Sequence, residues 1–60
     1  MVELIELQGR LRSSRELWQK RLREARKGGG DFSDLYCEGR IAGLTEAIRE
    51  IGILLRVELA

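Results

Sequence analysis

Cys37 is the one ready nucleophile in this sequence, and its setting decides what it is for. It falls in an early turn of a predicted helix, where the positive end of the helix dipole favours a thiolate and hence a reactive thiol. It also lies on the main apolar stripe of that helix, which favours a buried structural cysteine instead. Two carboxylate pairs stand at helical spacing, Glu3 with Glu6 and Glu46 with Glu50. Metal centres in helical bundles use such pairs, but with histidine alongside and with the carboxylates facing inward. The sequence has no histidine, and these carboxylates flank the apolar stripes. Exposed faces are therefore expected, with no metal and no cofactor. Gly28-Gly29-Gly30 lacks the Lys-Ser/Thr that completes a phosphate-binding loop. No nucleophile, base and orienting group fall in register, so the chain is read as non-enzymatic.

The cations form the next grouping. Residues 1–27 carry eight Arg/Lys against four Glu, a balance of +4, and residues 31–60 carry three Arg against six Asp/Glu, a balance of −3. In the first half Arg12, Arg15, Lys20, Arg23, Arg26 and Lys27 share one helical flank, interrupted by Glu16. A basic flank of that length is able to follow a phosphate backbone, so nucleic acid is a candidate partner. No aromatic ring is interleaved to stack a base. A solvated face, partly neutralised by the acidic second half, explains the same charges and is preferred.

The most specific spacing is Gly39-x-x-x-Gly43-x-x-x-Ala47. Small residues one turn apart strip a helix of side-chain bulk, so that another backbone approaches closely. Each glycine costs about 1 kcal/mol in a helix interior, so two of them need an occupant. Trp18 of the same chain is one candidate, and the twin helix of a second subunit, the preferred reading, is the other. An antiparallel twin centred near Gly43 brings Gly39 opposite Ala47 of the partner subunit and Arg40 opposite Glu46 of the partner subunit. The expected interface is Tyr36, Gly39, Arg40, Gly43, Glu46, Ala47 and Leu54.

Two helices must position these groups. In residues 2–27, Leu4, Leu7, Leu11, Ser14, Trp18, Leu22 and Ala25 fall on one stripe of a 3.6-residue wheel. Gly28–Gly30 ends that helix, the first glycine taking the left-handed C′ position. A second helix is expected over residues 31–59, with Asp31 the preferred N-cap and Ser33 the alternative. It carries two stripes: Cys37, Ile41, Leu44, Ile48, Ile51, Leu55 and Leu59, and a quarter-turn away Tyr36, Gly39, Gly43, Ala47 and Leu54. That arc exceeds what one neighbouring helix covers, and the chain supplies only one. A short connection makes an antiparallel hairpin, setting Leu22 near Cys37, Trp18 near Ile41, Leu11 near Ile48 and Leu4 near Leu55. Phe32 and Tyr36 then cover the loop end.

A chain of 60 residues is one domain, and a monomer of that size buries only about 60% of its unfolded surface. One cysteine excludes an internal disulfide and the lack of histidine disfavours structural zinc. Oligomerisation is the remaining route to stability. The composition, 43% hydrophobic and 35% charged without proline, suits helices and argues against disorder. No apolar run is long enough to cross a membrane and no secretory leader is recognisable. The lone thiol fits a reducing interior, so a cytoplasmic location is expected.

The segment Tyr36-x-x-Gly39-x-Ile41-x-Gly43-Leu44-x-x-Ala47-Ile48 resembles a pattern in small, mostly uncharacterised helical proteins encoded by bacteriophages, over about a fifth of the chain. The size and layout also resemble the plasmid-encoded RNA-binding helical hairpin that regulates copy number, a dimeric four-helix bundle. That second likeness is architectural and carries no RNA-contacting residue onto this sequence. The expected fold is all-α: an antiparallel helical hairpin forming one domain and assembling into a homodimeric four-helix bundle or a larger helical assembly. The expected function is a small homo-oligomeric interaction or adaptor protein, phage-encoded if the resemblance holds, that binds another macromolecule; the expected partners are a second copy of the chain and an unknown protein. The alternatives are a nucleic-acid-binding bundle and a structural subunit of a larger particle.

Overall fold

A computed structural model of the chain describes residues 2–59, with side chains described over residues 2–57. Two helices, α1 (Val2–Arg26) and α2 (Asp34–Leu59), run antiparallel, and the described residues contain no strand. Leu59, expected on the main stripe, has its side chain outside the described residues.

The turn is built by backbone hydrogen bonds. Gly28 N–H donates to the Ala25 carbonyl and Gly29 N–H to the Glu24 carbonyl, each at 3.0 Å, while Gly28 takes φ +84°. This is the paired-bond C-terminal cap that a C′ glycine permits. It stops α1 at Arg26 and leaves Lys27 in the turn, one residue short of the expected end.

The second helix starts three residues later than expected, and Asp31 is not its N-cap. Ser33 is: its Oγ accepts from Tyr36 N–H at 3.1 Å and its carbonyl accepts the first helical bond, from Cys37 N–H, also at 3.1 Å. Asp34 Oδ1 accepts from Leu35 N–H at 2.8 Å, so two otherwise unpaired donors of the first turn are satisfied. The delay has a tertiary cause. Gly30 at φ +87° turns the chain, and the Phe32 ring comes to 4.9 Å from Trp18, which holds residues 31–33 outside the helix.

The seam between the helices buries Trp18, Cys37, Ile48 and Ile51, with Leu4, Leu11, Leu22, Ile41, Leu44 and Leu55 half-buried around them. Polar contacts along it bracket the expected register: Gln8 Nε2 donates to the Ile48 carbonyl at 3.3 Å, Arg15 to Thr45 Oγ1 at 3.4 Å, and Arg26 pairs with Glu38 at 2.9 Å. Leu7 departs from its stripe. It is 44% exposed, on the outer shoulder of the seam, where it lines a shallow hollow with Glu3, Glu6 and Arg10.

The loop end is clamped by rings. Trp18 meets Phe32 at 4.9 Å and Tyr36 at 5.5 Å, both edge to face, and Phe32 stacks on Tyr36. The Arg21 guanidinium lies 4.6 Å from the Trp18 ring and the Arg40 guanidinium 5.1 Å from it, attracted by the ring's negative face. The molecule that results is a flat rod, 46 × 15 × 11 Å with a radius of gyration of 13.8 Å. A globular chain of this length would have a radius of about 10 Å.

Replacing Trp18 with alanine removes the centre of this cluster and should cost about 3–5 kcal/mol, enough to unfold so small a domain; thermal melting followed by circular dichroism reads it. Ser33→Ala should cost about 1 kcal/mol through loss of the cap, whereas Asp31→Ala should leave the urea midpoint within error of wild type.

Candidate functional site

The outer strip of α2 is the surface on which the sequence and the fold converge. Gly39 and Gly43 are both exposed, and a Cβ built on either would meet nothing within 4 Å. Trp18 therefore does not occupy the space these glycines leave, and the intramolecular explanation for them fails. Gly52 is the glycine of α2 that faces α1: a Cβ there would come to 3.5 Å from Gln8 Nε2, an ordinary contact. Around the bare strip Tyr36 is 50% and Leu54 52% exposed, while Ala47 is half-buried.

The expected interface residues are thus brought onto one outer side, with one qualification. Arg40 is exposed but is already engaged over Trp18. Its position between strip and seam makes it a lid on the tryptophan as well as a rim charge. Glu46 is exposed and, among the described residues, has no ion-pair partner. Apolar surface continues past the strip at the open end of the hairpin, where Ile5, Ile53 and Val57 are exposed.

The basic flank of α1 is only partly free. Arg15 and Arg26 reach across to Thr45 and Glu38. Arg12, Lys20, Arg23 and Lys27 are exposed and, among the described residues, unpaired. Arg21 and Arg40 went unassigned to Trp18 in the sequence. The signal was available, because Arg21 stands three residues from Trp18 on one helix face and Arg40 opposes it in the hairpin register.

Cys37 is 0% exposed and unbridged, sealed under the seam. Glu6 pairs with Arg10 at 3.2 Å and Glu50 with the neighbouring Arg49 at 3.7 Å, and among the described residues no three ligand-type side chains converge as for a metal. The hollow beside Leu7 measures about 180 Å³ and a second, lined by Arg21, Glu24, Gly30, Asp31 and Phe32, about 100 Å³. Both fall below the roughly 300 Å³ at which small-molecule sites begin. Among the described residues no helix is long and apolar enough to cross a membrane. No family model, curated protein or solved structure matches the chain.

Two glycine substitutions separate bare surface from covered surface. Gly9, mid-helix in α1, also has open space at its Cβ, and Gly9→Ala should raise stability by about 1 kcal/mol. Gly39→Ala should give the same gain in a lone hairpin but a loss if a second backbone lies against the strip; paired urea titrations distinguish the two.

Proposed function

We propose that the chain is a non-enzymatic, self-assembling interaction protein: an antiparallel homodimer joined through the outer strip of α2, presenting its α1 surfaces to another macromolecule. The observation that carries this reading is the empty space above Gly39 and Gly43, flanked by exposed Tyr36 and Leu54. Gly9 has the same open space; what sets Gly39 and Gly43 apart is their one-turn spacing with Ala47 between exposed Tyr36 and Leu54, a strip that would admit a backbone from elsewhere. A two-fold axis at Gly43 makes the strip its own complement, as an isologous contact requires. Arg40 then faces Glu46 of the partner subunit at both rims, each pair contributing at most about 1 kcal/mol and selecting orientation more than affinity. A parallel pairing would instead set Glu46 and Glu50 near their own copies.

Four cations unpaired among the described residues, Arg12, Lys20 and Arg23 on α1 and Lys27 in the turn, support a second reading, in which the macromolecule bound is a nucleic acid. In a dimer joined through α2 they lie on the outside, clear of the contact. Phosphate binding by these groups would weaken steeply as salt rises.

The dimer is tested by Gly43→Leu, which should wedge the helices apart and leave helical hairpins of half the wild-type mass by size exclusion with light scattering. Unchanged mass and melting point would remove Gly43 from any interface. The second reading is tested by gel shift at low salt, where Arg12→Glu with Arg23→Glu should abolish retention without lowering stability; absence of any shift by the unmodified protein ends it.

A further inference from the structure

We infer that the aromatic tip of one hairpin is the socket for the open end of its twin, with Phe32 and Tyr36 of one copy receiving Leu54 of the other, twice per dimer. The inference rests on the dimer proposed above and adds its register and crossing angle. Phe32 and Tyr36 remain 38% and 50% exposed although both pack on Trp18. Their rings lie 16° from parallel at 5.6 Å, and the Arg21 guanidinium sits 5.1 Å from the Phe32 ring. The pair is thus braced by its own hairpin while it still offers apolar surface to the outside.

The other end of the strip supplies the matching piece. Leu54 is 52% exposed and stands about five whole turns beyond Tyr36, on the same side of α2. An antiparallel axis at Gly43 carries position 50 to a point opposite position 36, and position 54 about 3 Å past the first residue of α2, Asp34, to the level of the turn that holds Phe32. Leu54 then covers the Phe32–Tyr36 platform, and the exposed Glu50 carboxylate comes opposite the Tyr36 phenol, a donor matched to a charged acceptor. With Arg40 opposite Glu46, the polar groups of the strip find complements in a second copy of the same surface. Leu35, more exposed at 75%, lies about a quarter-turn away on the wheel and takes no part.

The end contact also fixes how the helices cross. Leu54 lies about 16 Å along the helix from the axis at Gly43. Helices crossing at about 20° diverge by about 6 Å over that distance, which long side chains span; at about 50° they diverge by about 12 Å, and Leu54 is left in water. The socket therefore selects a full-length four-helix bundle over two hairpins crossed at their glycines.

Sedimentation equilibrium over a dilution series of the wild type, Leu54→Ala and Leu35→Ala tests this. Leu54→Ala should raise the dimer dissociation constant about tenfold or more, because both copies lose buried apolar area, and Leu35→Ala should leave it unchanged. Adding Phe32→Ala to Leu54→Ala should cost less than the two changes separately, since they share one contact. A wild type that dimerises while both leucine variants match it overturns the socket and leaves the dimer standing. A wild type that stays monomeric at every concentration overturns the dimer itself, and the socket with it.

Discussion

Two helices share one seam, and that limit governs this molecule. The apolar arc of α2 is wider than a seam: Cys37, Ile48 and Ile51 use the side facing α1 and are buried, while Tyr36 and Leu54, about a quarter-turn round, stay half in water. A third element would cover them, and the chain has none among the described residues. The elongated 46 × 15 × 11 Å body follows directly. Its accessible surface of 4578 Å² exceeds the about 4,000 Å² expected for a compact monomer of this mass.

The hairpin is also unequal along its length. At the loop end three rings, two guanidiniums, a glycine cap and a serine cap lock the helices together. At the other end Gln8 bonds the Ile48 carbonyl across the seam, and Ile5, Leu7, Ile53, Leu54 and Val57 are exposed. Local stability should fall from tip to open end, because protection tracks burial and contact density. An antiparallel dimer would offset this by laying the firm tip of each copy against the loose end of the other.

The two helices, the glycine turn and the pairing register were legible in the sequence because each follows from local rules: 3.6-residue periodicity, a left-handed glycine and a short connection. The start of α2 was not, because Asp31 and Ser33 satisfy the same local rule, and the choice is made by Phe32 packing on Trp18 across the hairpin. Leu7 shows a second limit, since periodicity assigns a face without showing whether the opposite helix reaches it. The role of Gly39 and Gly43 was ambiguous for a third reason: a tryptophan of the same chain and a helix of another demand the same small residues. Only the open space above them excludes the tryptophan.

The central claim is that the outer strip of α2 is covered by a second copy of the chain. Light scattering of the wild-type protein in dilute buffer at micromolar concentration measures this most directly. The account predicts a folded species of twice the 6.9 kDa chain mass. A helical, cooperatively melting species of 6.9 kDa would contradict it.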